Sequence, residues 1–115
     1  MQTQQINTGR TETIRALNDQ LRTTRTGGQI VMTIGVNGLP DATQRDLFRA
    51  LAAYNEFDAD NDPHGEHDFG LLVVDGHEIM FKVDYFDNDL VYHSPDPADP
   101  SVTRRVMTLM LAEEY

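Results

Sequence analysis

At 115 residues and 13.0 kDa, with a formal charge of −10 and a pI near 4.5, the chain has room for one domain and one core. It contains no Cys, which excludes a disulfide scaffold, a Cys-ligated zinc or iron–sulfur site and a thiol nucleophile. No apolar run approaches the ~18 residues of a membrane span, and the polar opening residues are not a signal peptide; a chain this acidic also repels nucleic-acid backbones and anionic membranes unless its few cations are segregated.

Residues 1–10 are polar and lack periodicity, and read as a disordered N-terminal tail ahead of a single domain over 11–115. Ile14, Leu17 and Leu21 recur at helical spacing, which predicts an amphipathic helix over 11–25, ended by Gly27-Gly28. Residues 29–36, with Ile30, Val31, Ile34 and Val36, have strand composition. Pro40 then opens a second helix, with Asp41 and Gln44 placed to form a capping box and Leu47, Phe48, Leu51 and Tyr54 as its apolar stripe.

Beyond an acidic loop, Asp75-Gly76 separates two apolar runs, 69–74 and 77–86. An Asp-Gly pair in that setting predicts a hairpin, because a type I′ turn needs positive φ at both central residues. In its second strand Ile79, Phe81, Val83 and Tyr85 are expected to face the core, and Glu78, Met80, Lys82 and Asp84 to face away. A turn at Asp87-Asn88-Asp89 leads to a short strand over 90–93, and the proline-rich run 94–100 is a stiff connector. Asp99 and Pro100 have the chemistry of a helix start, and Val102, Val106, Leu109 and Met110 the spacing of a helical stripe. The expected fold is α+β: three helices around a small antiparallel meander, in the order α-β-α-β-β-β-α.

The charge is unevenly placed. Residues 1–55 carry six Arg against four acids, whereas residues 56–99 carry ten Asp and three Glu against Lys82 alone. The region 58–70 is the densest in chemistry. Read as an EF-hand loop from Asp58 it fails, because the sixth position is Pro63 and the twelfth is Phe69. His64-x-Glu66 opens a zinc-deaminase signature whose Cys half cannot exist here.

Counting outward from the Asp75-Gly76 turn sets His67 opposite Asp84, and a two-residue second turn brings His93 to the same face. His67, Asp84 and His93, with His64 and Glu66 nearby, form a candidate divalent-metal site suited to a metal such as zinc; the alternative is a hydrogen-bonded structural cluster. Ser94 follows His93 directly, so an extended backbone points the two apart, and no phosphate loop follows Gly35-Val36-Asn37-Gly38.

The acidic residues support a different reading. In an extended segment Asp58, Asp60 and Asp62 would stand on one side, roughly 6.6 Å apart. Glu66 and Asp68 extend that ladder, and Asp84, Asp87 and Asp89 echo it. Such spacing imitates a nucleic-acid backbone, which carries one charge per roughly 1.7 Å of duplex.

The decapeptide Asn61-Asp62-Pro63-His64-Gly65-Glu66-His67-Asp68-Phe69-Gly70 resembles the small bacterial proteins grouped as domain of unknown function 3768, common on alphaproteobacterial chromosomes and mobile elements. The likeness runs from about Ile14 to Tyr115 and takes in Leu17-Asn18-Asp19, the 28–35 strand, Asp84-Tyr85, Ser94-Pro95-Asp96-Pro97 and the ending Met110-Leu111-Ala112-Glu113-Glu114-Tyr115. It implies no activity and no catalytic residue. Its context implies a cytoplasmic protein encoded among plasmid or phage accessory genes.

Two functional expectations follow. The leading one is a non-enzymatic, cofactor-free interaction protein that presents an acidic face (Asp58, Asp60, Asp62, Glu66, Asp68, Asp84, Asp87, Asp89) to a partner with a basic nucleic-acid-binding surface. An inhibitor of the anti-restriction or anti-CRISPR type has this form. It would touch neither nucleic acid nor membrane directly, and a homodimer is a further option. The rival is a small metal-dependent hydrolase built on His64, Glu66, His67, Asp84 and His93.

Overall fold

Ile14 and Leu21 are buried as their spacing requires, and they hold the first helix, α1 (Gln2–Thr24), against the rest of the chain. The computed structural model describes the backbone from Gln2 and the side chains from Gly9 to Tyr115. Most of the expected 1–10 tail therefore lies outside the described side chains. Arg10 lies within α1 and pairs with Asp96 at 2.6 Å.

The strand expected over 29–36 stops early, as β1 (Gln29–Met32). Thr33 then caps a single helical turn, α2 (Ile34–Asn37), its hydroxyl accepting from the Val36 amide at 3.4 Å. A residue far along the chain stabilises that turn. Glu114 accepts from the Thr33 hydroxyl at 2.6 Å, the Leu111 amide at 2.8 Å and the Gly35 amide at 3.2 Å. A Cβ on Gly35 would meet the Glu114 carboxylate at 2.7 Å, so a larger residue there would displace that carboxylate from the turn.

The next helix, α3 (Asp41–Ala53), buries Leu47 and Leu51 completely. The expected capping box is not formed. Pro40 occupies the cap, and Gln44 instead reaches back to the carbonyls of Asn37 (2.9 Å) and Leu39 (3.0 Å). Gln44 thus ties α3 to the preceding turn rather than closing its own first turn.

The hairpin forms in the expected register. Strands β2 (Phe69–Val74) and β3 (His77–Phe86) pair antiparallel with Val74 opposite His77, and Asp75 and Gly76 take φ of 50° and 82°. Ile79, Phe81, Val83 and Tyr85 are buried in the core. Gly70 lies opposite Phe81, where a Cβ would come within 2.7 Å of the Tyr54 ring.

Two expectations are corrected in the last third. The segment 90–93 is not a strand. It is the return of a loop, joined to β3 by one bridge between Phe86 and His93. The terminal helix is also absent. Asp99 does cap, accepting from the Ser101 amide at 2.9 Å, but the helix it caps is one 3-10 turn (Pro100–Val102). The chain then runs as β4 (Arg104–Leu111), whose Arg105, Met107 and Leu109 are buried. A short apolar run satisfies helical and strand periods alike. Thr103, Val106 and Thr108 are β-branched, and as a strand the segment pairs the edges of both β3 and β1, which a helix would leave unpaired.

The sheet order is β1-β4-β3-β2, with β1 parallel to β4 and the other pairs antiparallel. The fold is α+β with a mixed four-stranded sheet, not an antiparallel meander. β4, the strand that replaces the expected helix, is central to it. The helices seal one face, around Leu21, Leu47, Leu51, Phe81, Met107 and Leu109. No described helix is long and apolar enough to cross a membrane.

Candidate functional site

The strand directions place the loops. β2 begins, β3 ends and β4 begins at the same end of the sheet. That end therefore receives both acidic connections, residues 57–68 and 87–103.

The first connection is not the extended ladder expected of it. Asp58 accepts from the amides of Asp60 (2.9 Å) and Asn61 (3.1 Å), which folds residues 58–61 into a turn. Asn61 closes it, accepting from the Asp58 amide at 2.9 Å and donating to the Glu56 carbonyl at 2.7 Å. Asp58 and Asp60 stay exposed, whereas the Asp62 side chain is only 5% exposed. Asp62 accepts from the amides of Glu66 (3.0 Å) and His67 (3.1 Å), which pins a backbone that takes positive φ at Gly65 and His67.

Helix α1 holds this loop from below. Arg15 donates to the Gly65 carbonyl at 2.6 Å, and fully buried Asn18 donates to the Glu66 carbonyl (3.0 Å) and the Tyr85 hydroxyl (2.7 Å). The Asn18 side-chain oxygen Oδ1 accepts from Arg105 at 2.7 Å, and the Tyr85 hydroxyl donates to the Glu66 carboxylate at 2.8 Å. Arg105 also reaches the Pro97 carbonyl, so one guanidinium joins helix, central strand and proline connector. Burial pushes the Tyr85 phenol up, with Glu66 adding to it, and burial pulls the Arg105 guanidinium down.

His67 is the clearest departure from the expected metal site. Its positive φ of 56° breaks the strand alternation before β2 begins, and the ring turns toward α1. His67 Nδ1 lies 2.8 Å from an Asp19 carboxylate oxygen, and the ring nitrogen must donate because a carboxylate only accepts. Nε2 stands 3.8 Å from Asp62, and the imidazole stacks on Phe57 at 3.8 Å with a 3° interplanar angle. Arg22 completes the stack, 5.1 Å above the Phe57 ring and 2.7 Å from Asp19.

Asp84 instead pairs with Lys82 at 2.7 Å, and exposed His93 lies edge-on to the Tyr85 ring, 6.2 Å away. His64 is exposed. His67, Asp84 and His93 are thus engaged with separate partners, and no group of three or more His, Cys, Asp or Glu among the described residues could hold a metal. No buried side-chain nitrogen or oxygen among the described residues lacks a hydrogen-bond partner.

Of the expected acidic face, Asp62 and Glu66 are turned to internal use. Asp68 is half-buried, and its carboxyl is pushed up by burial, with Glu66 and Asp62 adding to it. Asp87 accepts from the Val91 amide at 3.0 Å, and Asp89 is exposed. Between the 87–93 loop and β3 lies a cleft of about 330 Å³, lined by Asp84, Tyr85, Val91, Tyr92 and His93 among others. Sequence reasoning missed Asn18, Asp19, Tyr85 and Arg105 as partners of the decapeptide. The available signal was a polar Asn18-Asp19 pair set inside an apolar helical stripe.

The chain belongs to a family of proteins of unknown function, DUF3768, whose model matches residues 32–114. That span runs from Met32, the last residue of β1, to the final 3-10 turn (Ala112–Glu114), and so includes the decapeptide loop and every strand from β2 onward. No curated protein and no solved structure matches the chain.

Proposed function

We propose that this protein is a non-enzymatic interaction protein whose acidic end occupies a basic, nucleic-acid-binding surface of a partner. The observation that carries the reading is topological: the sheet delivers the 57–68 and 87–103 connections to one end, where Asp58, Asp60 and Asp89 are exposed and Asp87 lies nearby in sequence. Of the cations nearby, Arg10 is engaged with Asp96, Arg15 with the Gly65 carbonyl and Lys82 with Asp84, which leaves Arg104 exposed at the start of β4. An excess of carboxylates is left to face outward and steer a basic partner. Internal satisfaction of the His67 and Glu66 networks favours a scaffold role for the decapeptide, which holds the acidic turn rigid. A cytoplasmic inhibitor of the anti-restriction or anti-CRISPR type is the particular form this reading takes.

The test is capture of host proteins on the immobilised chain at low and high salt, with heparin as a competing polyanion. Capture should fall at least tenfold between about 50 and 500 mM salt, be displaced by heparin, and be lost when Asp58, Asp60, Asp87 and Asp89 are all changed to Lys. Capture indifferent to salt and heparin would overturn the reading.

A further inference from the structure

The two parallel strands, β1 and β4, part where they begin. Their register sets Gln29 beside Val106, and one residue further back Gly28 runs beside Arg105. The approach is so close that a Cβ on Gly28 would meet the Arg105 carbonyl at 2.5 Å. Gly27, at a φ of 85°, turns the chain off the sheet edge. A cleft of about 240 Å³ opens there, lined by Gly27, Gly28, Gln29, Thr103, Arg104 and Arg105.

This lining carries two arginines and no carboxylate, in a chain with 19 acids against 9 Lys and Arg. Arg104 is exposed and forms no ion pair or side-chain hydrogen bond among the described residues. The Arg105 guanidinium hydrogen-bonds neutral oxygens, Asn18 Oδ1 at 2.7 Å and the Pro97 carbonyl. No carboxylate pairs with it among the described residues.

Backbone donors are left over as well. Arg105 lies opposite Tyr85, whose carbonyl accepts from Ser94 at 2.9 Å on the far side of β3. That pair therefore bonds outward, and the Arg105 amide points toward β1. The strand would have to continue to Gly27 to receive it, and β1 starts at Gln29. The amides of Gly27, Gly28 and Arg105 carry no hydrogen bond among the described residues. Three spare amides beside a free guanidinium are the donor set that holds a phosphate group.

We propose that this cleft binds a phosphate group, as inorganic phosphate or as the end of a small monoester. Arg104 supplies a full charge and paired N–H donors, and the amides supply the rest. The terminal oxygens of a phosphate dianion can use donors from two chain segments at once, where a carboxylate offers only two oxygens. The volume is below the roughly 300 Å³ at which drug-sized pockets begin, so the ligand is small. The net −10 opposes any anion at long range, but salt near 0.15 M screens charges beyond about 8 Å. The carbonyl end of α1 opposes it too, and Arg25, directly after that end, carries the opposite charge. The site does not depend on the acidic-end reading.

The test is an NMR titration of the isotope-labelled full chain with inorganic phosphate, at about pH 7 and with ionic strength held constant by sodium chloride. The amides of Gly27, Gly28 and Arg105 should move together on one saturating curve, with a Kd of about 1 mM. Glycerol phosphate should move the same amides; tighter binding than inorganic phosphate makes an ester the ligand, and weaker binding the free ion. Acetate should bind at least about tenfold more weakly than either. Arg104→Gln should raise the Kd about tenfold with an unchanged circular dichroism spectrum, and Lys82→Gln should leave it as it was. Phosphate should bind at least as tightly to the chain with Asp58, Asp60, Asp87 and Asp89 changed to Lys, on which acidic-end capture is lost, so the two readings fail separately. Shifts that spread over the chain without saturating, acetate as effective as phosphate, or wild-type affinity in Arg104→Gln would each overturn the inference.

Discussion

The two faces of the sheet each carry an exception to the usual arrangement of polarity. The face sealed by helices contains a guanidinium and a phenol, Arg105 and Tyr85, both buried and joined through Asn18. The face open to water contains Leu71, Val73 and Val31 with no layer over them. Burial is possible for the polar pair because α1 supplies a complementary amide, and a fully satisfied buried network loses little relative to water. On the other face Met80 and Met110 are buried within the chain, but Leu71, Val73 and Val31 find no such cover. Where a group sits is thus decided by whether a matching surface exists, not by its polarity alone.

The sharpest way to break the contrast is to remove the amide on the sealed side. Asn18→Ala leaves Arg105, Tyr85 and the Glu66 carbonyl short of partners in a buried setting, and should cost about 3 kcal/mol in denaturant unfolding. A loss below about 1 kcal/mol would mean that water replaces the amide and the sealed face is wetter than its burial implies.

A smaller effect comes from half-buried Asp68, which immediately precedes β2. Its carboxyl is pushed up by burial, so the folded state prefers the protonated form. The favourable contribution is full below the unfolded pKa and is lost as pH rises through the raised folded value. Asp68→Asn should therefore raise the melting temperature at pH 7 and leave it nearly unchanged at pH 3. Equal effects at both values would remove desolvation as the cause.

Glu114 should give the smallest effect, with the opposite sign. Hydrogen bonds from Thr33, then from Leu111 and Gly35, hold its carboxyl below the usual carboxylate range. Its contribution is present above the unfolded pKa, near 4.5, and is lost as pH falls through the depressed folded value. Glu114→Gln should narrow the wild-type loss of stability on acidification below about pH 4.5, seen as converging melting curves.

The legible parts of the fold share one property: their cause lies within a few residues. Asp75-Gly76 specified both the hairpin and its register, because a type I′ turn needs two positive φ values and the pairing follows from the turn. The buried alternation Ile79, Phe81, Val83, Tyr85 followed from that register. The candidate site was less legible. Counting along β2 assigned His67 to the side of Asp84, yet one positive φ at His67 turned it to Asp19 on α1. Asp62 similarly left an imagined ladder to bind the Glu66 and His67 amides. Parity arguments hold only while the backbone stays extended.

The amino-acid sequence by itself determined the family, the hairpin, the apolar stripes of α1 and α3, and the segregation of acids into residues 56–99. Each depends on local chemistry or on composition. Only the tertiary structure decided that residues 104–111 are a central strand rather than a helix, that β1 runs parallel to it, and that Glu114 caps a turn beginning at Thr33. Those outcomes depend on partners distant in sequence. A segment whose apolar pattern suits two secondary structures takes the one that also satisfies the backbone groups on the edges of neighbouring strands.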